Sequence, residues 1–204
     1  MNSLPYDIAL VPSEEIGASA INASNALRIY ESLFTLQAGK FYPHVSIYQL
    51  QIKDERLPQV DKSLKNIADS SNDFKLKALK YCWSGRGYLD VEYEKTDELT
   101  KLQEKTIAEF NPIRDGLRQN DKSRLPNSTG LTKENIEKYG TRFVGNLFRP
   151  HLTLTRFPGD NPESLKVLPN FLVFSGLFLK LGLFEMGSNG TAIRKIFEYE
   201  LKNG

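Results

Sequence analysis

The chain has 204 residues, 40% of them hydrophobic and 25% charged, with a formal net charge of +2. These proportions are those of an ordinary globular protein and exclude a disordered, fibrous or nucleic-acid-coating one, so any contact with nucleic acid must be local. The single cysteine, Cys82, excludes an intramolecular disulfide and a thiolate-rich metal cage.

Residues 6–11 are apolar and closed by Pro12, which predicts a buried first strand. Ala20, Ala23, Leu27, Tyr30 and Phe34 recur at alternating three- and four-residue steps and predict one helical face, with Gly39 as a stop after Ala38. Residues 41–52 have the aromatic and β-branched composition of a strand, and Val60, Leu64 and Ile67 mark the inward face of a second helix. Residues 74–81 and 88–93 flank Ser84-Gly85-Arg86-Gly87 and predict an antiparallel hairpin. Leu99, Leu102, Thr106 and Phe110 predict a helix over 96–110, ended by Asn111-Pro112.

Residues 113–147 are polar and weakly periodic, longer than a passive connection needs, with one short helix predicted over 133–139. From Arg114 to Arg149 eight basic residues stand against four acids, an excess that reads either as a solvated loop or as a phosphate-steering lid. Residues 151–157 and 192–201 read as strands, and 171–184 as a strand pair or one long strand whose phenylalanines, Phe171, Phe174, Phe178 and Phe184, belong to the core. The apolar run 171–186 is too short to span a bilayer, and residues 1–11 lack the pattern of a secretory leader, so a cytoplasmic location away from membranes is expected.

Both histidines of the chain, His44 and His151, sit in the same local pattern of proline, histidine, apolar residue, hydroxyl residue, apolar residue: Pro43-His44-Val45-Ser46-Ile47 and Pro150-His151-Leu152-Thr153-Leu154. The repeat predicts an α+β fold of two pseudo-symmetric lobes, each an antiparallel sheet with helices packed outside, around a central cleft. The whole of 1–204 is then a single two-lobed domain, with 113–147 as an insertion or lid.

On a strand, residues two apart share a face, so each motif presents an imidazole beside a hydroxyl. Two such strands facing one cleft could place two imidazoles on a single phosphodiester, one taking a proton from the nucleophile and the other giving one to the leaving oxygen. Ser46 and Thr153 are then candidates to hydrogen-bond the phosphate oxygens. Two histidines fall short of the three protein ligands that a catalytic zinc usually takes, so no metal is expected. The competing reading is a pair of satisfied core histidines.

The paired motifs, with the second running His151-Leu152-Thr153-Leu154-Thr155-Arg156, resemble those of the two-histidine phosphoesterase superfamily, which includes 2′-5′ RNA ligase-like proteins and cyclic phosphodiesterases. The resemblance covers most of the chain except 113–147. It implies a metal-independent phosphoesterase acting on RNA ends, 2′,3′-cyclic phosphates or 2′-5′ linkages, with His44, Ser46, His151 and Thr153 in the site and no cofactor. The implied partner is an RNA end or nucleotide, and a monomer is expected. From another class, the same cleft would serve a binding module that holds a nucleotide or RNA end without turning it over.

Strand parity adds Tyr48 and Thr155 to the histidine faces, with Tyr48 read either as a base-stacking ring or as part of the cleft wall. Arg156 matches the family's second motif and has the fork to bind phosphate, although strict alternation turns it away from His151 unless the strand bulges. Arg149 has the right parity, but Pro150 disturbs the strand between them.

Overall fold

The computed structural model describes residues 2–204. Strands β1 (Ser3–Pro12), β2 (Val45–Lys53), β3 (Phe74–Leu76), β7 (Gly176–Met186) and β8 (Ala192–Glu200) form one antiparallel sheet in the order β2-β1-β7-β3, with β8 also paired to β7. Strands β4 (Ala78–Trp83), β5 (Tyr88–Tyr93) and β6 (His151–Arg156) form a second, in the order β4-β5-β6. The helices are α1 (Glu14–Ala26), α2 (Leu57–Ala68), α3 (Asp97–Phe110), α4 (Gln119–Arg124) and α5 (Gly130–Tyr139). This is the expected α+β arrangement of two antiparallel sheets with outer helices.

The two histidine strands belong to matching units, β1-α1-β2 and β5-α3-β6. In each, the two strands pair antiparallel while the helix between them packs behind the other sheet, α1 on β6 and α3 on β2. One hydrophobic cluster therefore runs through both lobes, joining Ile47 and Leu50 of the large sheet to Leu89, Val91 and Leu152 of the small one. Tyr93 and Phe178 meet edge-on across the junction with ring centroids 5.4 Å apart.

Several boundaries differ from the sequence reading. Helix α1 starts at the Ser13 cap and ends at Ala26, followed by a 3₁₀ turn, Leu27–Tyr30, and by Glu31 in the left-handed region. Phe34 is buried from a loop instead of a helix face. The apolar run 74–81 is two strands: Lys77 is the corner at which the chain leaves β3 in the large sheet for β4 in the small one. Phe171–Phe174 is a 3₁₀ turn capped by Asn170, so β7 begins only at Gly176. Within 113–147 the structure adds α4 and starts α5 ahead of the expected 133–139, because α4 buries only Asp121 and α5 only Ile136, leaving no apolar stripe to read. Gly87, in the β4–β5 turn, has φ of +77°, and a Cβ there would lie 2.1 Å from the Phe157 carbonyl oxygen, so only glycine lets the turn lie against the end of β6.

Each histidine strand carries one extra residue. Ala9 faces Ser46 while Ile8 faces Tyr48, so Ile47 is bulged out of β2; Asp90 faces Thr153 while Leu89 faces Thr155, so Leu154 is bulged out of β6. The carbonyls of both bulged residues are capped by buried polar side chains of the crossed helices. Ser24 Oγ of α1 donates to Leu154 O at 2.7 Å, and Gln103 Nε2 of α3 donates to Ile47 O at 3.0 Å. Ser24 Oγ also accepts from Leu36 N at 2.8 Å. Ser24→Ala leaves both backbone groups buried without partners, so it is expected to cost about 1–3 kcal/mol. Urea unfolding should show this as a lower midpoint at unchanged slope; an unaltered midpoint would mean that the bulge does not depend on this cap.

Candidate active site

His44 lies one residue ahead of β2, and His151 is the first residue of β6. Each Nδ1 stands 2.7 Å from the backbone carbonyl two residues upstream, that of Tyr42 for His44 and that of Arg149 for His151. A carbonyl can only accept, so Nδ1 carries a proton in both the neutral and the charged ring, and exchange with a substrate is left to Nε2.

Behind each ring is a fully buried aspartate from the neighbouring strand, Asp7 of β1 and Asp90 of β5. Asp7 Oδ2 accepts from Ser46 Oγ at 2.5 Å and Gln49 Nε2 at 3.1 Å and lies 3.4 Å from His44 Nε2. Asp90 Oδ1 accepts from Thr153 Oγ1 at 2.8 Å; its Oδ2 accepts from Arg149 Nη2 at 2.6 Å and is 3.9 Å from His151 Nε2. Arg149 also reaches Glu92 at 3.3 Å.

The two sets are alike in plan and different in charge. Burial pulls the His44 pKa down, but the hydrogen bond and charge of Asp7 and the Tyr42 carbonyl overcome it, and the net direction is up. Burial pushes the Asp90 carboxyl up, but His151 and Arg149 outweigh it and hold Asp90 below the usual carboxylate range. Asp7 thus has His44 as its cation, whereas Asp90 is shared between His151 and a permanently charged guanidinium.

Both histidines line one cavity of about 340 Å³, together with Ser46 and Thr153. That volume falls in the range of roughly 300–1,000 Å³ found for small-molecule sites. Gln49, Arg118, Arg124, Arg142 and Phe143 complete one side, and Arg86, Tyr88 and Asn189 the rim; among the described residues no carboxylate lines it. Among the described residues there is also no grouping of three or more His, Cys, Asp or Glu side chains placed to hold a metal ion.

The bulges revise the parity reading. Beyond Ile47 the faces of β2 exchange, so Gln49 enters the cavity and Tyr48 is buried, its hydroxyl donating to Tyr139 O at 2.8 Å and Asn111 Oδ1 at 3.0 Å. Tyr48 meets only a side crevice of about 40 Å³ and has no face free for a base. Beyond Leu154 the same exchange buries Thr155, whose Oγ1 donates to Phe34 O at 2.5 Å, and returns Arg156 to the cavity side. Arg156 holds the rim together: it donates to Arg86 O at 3.0 Å and Asn189 Oδ1 at 3.1 Å and lies over the Tyr88 ring. Arg149 stands behind the site on Asp90 and Glu92 and does not line the cavity.

Sequence reading missed Asp7, Asp90, Gln49 and Arg118. Asp7 had a signal, since it is the one acid inside an otherwise apolar run, where burial demands a partner; Asp90 shares its strand with Glu92 and stands out less. Gln49 and Arg118 had none, because their place depends on the bulge and on Arg118 Nη1 donating to Gln49 Oε1 at 2.6 Å.

Solved structures with the same fold include TT0787 of Thermus thermophilus, 18% identical, with a TM-score of 0.60 over 98% of this chain and 99% of that one. A protein described as a phosphoesterase is 13% identical with a TM-score of 0.55 over 99% and 100% of the two chains. LigT of E. coli in complex with phosphate is 14% identical with a TM-score of 0.53 over 100% of both, and LigT is also known in complex with 3′-AMP. The fold is that of the two-histidine phosphoesterases. In sequence, residues 50–168 match the family described as "Protein of unknown function (DUF1045)", and the chain belongs to that family. No curated protein matches the sequence.

Asp7→Asn removes the charge that lifts His44, so His44 is expected to titrate at a lower pH in the variant than in the native chain. With two histidines in the chain, proton NMR of the ring Cε1–H signals resolves them directly. The Asp7–His44 pair stabilises the native chain fully below the free imidazole value of about 6.5 and loses that contribution as pH rises through the raised native value. An unmoved His44 curve in the variant would refute this account of the pair.

Proposed function

We propose that this chain is a metal-independent phosphoesterase that hydrolyses a 2′,3′-cyclic phosphate or 2′-5′ phosphodiester in RNA or nucleotides, using His44 and His151 as an acid–base pair. The observation that carries the reading is two imidazoles, each with Nδ1 committed to a backbone carbonyl, lining one cavity whose wall bears arginines and no carboxylate. The fold shared with LigT, known in complex with phosphate and with 3′-AMP, supports the same substrate class.

The difference between the two aspartates supports one assignment of the roles. Asp7 favours the proton on His44, which makes His44 the general acid; Asp90 is bound by Arg149, and His151 supplies the lone pair of the general base. His151 Nε2 takes a proton from water as the water oxygen bonds to phosphorus. The bond from phosphorus to the ribose oxygen breaks, and His44 Nε2 delivers its proton to that oxygen, so the pair ends with the proton on the opposite ring. Ser46 and Thr153 donate to their aspartates in the free protein. Rotation about the Cβ–O bond alone would turn each hydroxyl hydrogen toward a phosphate oxygen. The protein would act as a monomeric, single two-lobed domain in the cytoplasm, with 113–147 as the lid over the cavity; among the described residues no helix is long and apolar enough to cross a membrane.

The test is a panel of 2′,3′-cyclic nucleotides and 2′-5′ dinucleotides assayed with chelator present. Turnover should persist, with a bell-shaped pH profile, and His44→Ala and His151→Ala should each lower kcat by about 10²–10⁴. Asp7→Asn should move the alkaline limb, where His44 loses its proton, to lower pH. Activity abolished by chelator, or ligand bound at stoichiometric protein with no product formed, would overturn the proposal and favour a binding module.

A further inference from the structure

The cations around the cavity are unequally paired. Arg118 is held by Asp121 through Nη2 at 2.6 Å and Nε at 2.8 Å, and Arg124 shares the same carboxylate at 3.3 Å. Arg149 has Asp90 and Glu92. Arg142 has no carboxylate within 4.0 Å among the described residues, and its Nε is enclosed by protein with no hydrogen-bond partner. Its guanidinium lies 4.4 Å from the centroid of the Phe143 ring, and it is held there against both burial and repulsion from Arg124, which lower its pKa. A half-buried cation without a counter-charge weakens the fold unless something that binds it repays the cost.

Its position lets it serve two cavities. Arg142, Phe143 and Ser84 are shared between the histidine cavity and an adjoining cavity of about 330 Å³ that neither histidine lines. Arg142 thus stands at the edge of the site. Arg86, which lines the same cavity and is close enough to repel Arg142, likewise has no carboxylate partner among the described residues, and its backbone is in the left-handed region with φ of +56°.

We propose that Arg142, with Arg124 and Arg86 beside it, forms a second anion site that takes a terminal phosphomonoester of the substrate. It rests on the phosphoesterase reading for the identity of the first phosphate. The preferred substrate is then a nucleotide or RNA end carrying two phosphate groups: the diester between the histidines and a monoester, such as a 5′-phosphate, on Arg142. A monoester suits the site because it carries about −1.5 to −2 charge at neutral pH and offers oxygens in the plane of a guanidinium fork.

Calorimetric titration of adenosine 3′-phosphate and adenosine 3′,5′-bisphosphate tests this without requiring turnover. The wild-type protein should bind the bisphosphate about ten- to a hundred-fold more tightly, the range expected for charge-assisted hydrogen bonds. Arg142→Met, which keeps the length of the side chain, should abolish that preference while leaving adenosine 3′-phosphate within about three-fold of wild type. Arg142→Lys, which keeps the charge but not the fork, should retain part of it. Equal binding of the two ligands by wild type, failure of the bisphosphate to bind, or an equal loss of both ligands in Arg142→Met would overturn the second site. A protein that prefers the bisphosphate but turns over no cyclic nucleotide would sink the phosphoesterase reading and leave the second site standing.

Discussion

The site depends on one extra residue in each histidine strand. Without the bulges at Ile47 and Leu154, strict alternation would keep Tyr48 and Thr155 on the histidine face and turn Gln49 and Arg156 away from it. A bulge leaves a backbone carbonyl outside the strand ladder, and a buried carbonyl needs a donor. Ser24 and Gln103 supply it, each from a helix whose preceding strand belongs to the opposite sheet. The geometry of each half-site is therefore fixed by the other half of the molecule, which explains why the two lobes share one hydrophobic core.

The same pseudo-symmetric plan then yields two aspartates with unequal partners. Coulomb attraction between a buried carboxylate and a ring nitrogen is strong only while the carboxylate is not engaged by another cation. Asp7 has no arginine against it, and His44 lies 3.4 Å from its Oδ2; Asp90 has Arg149 at 2.6 Å, and His151 is farther off at 3.9 Å. One added guanidinium, carried on the residue two before His151, is enough to separate the electrostatics of two otherwise matching sites. The serine and threonine of the motifs contribute by fixing these carboxylates, since each hydroxyl donates to its aspartate.

Much of this is legible in the sequence where the information is local. The apolar runs of β1, β5 and β8 and the Thr96-capped periodicity of α3 lie close to where the pattern puts them, and the two histidines of the repeated motif line one cavity. What the pattern does not carry depends on partners far along the chain. The bulge at Leu154 answers to Ser24, 130 residues away, and the one at Ile47 to Gln103, 56 away. The run 74–81 has a continuous strand composition, and only the presence of two sheets makes Lys77 a corner. The apolar periodicity overshoots the end of α1 because Phe34 keeps the helical spacing although Glu31 has already reversed the chain.

Residues 113–147 are joined to the histidine cavity through a single buried acid. Asp121 anchors Arg118 and Arg124, and Arg118 in turn grips Gln49, which donates to both Asp7 and Ser46. The segment thus reaches the His44 carboxylate through an unbroken chain of hydrogen bonds, although its helices bury little apolar surface of their own. Such a network ties the segment to the cavity wall, because Gln49, Arg118 and Asp121 find these buried partners only there. Arg142 stands outside that network, tied to the segment through its backbone carbonyl, which accepts from Asn135 Nδ2 at 3.0 Å. The paired arginines position the wall, and Arg142, like Arg86, is left without a carboxylate partner among the described residues.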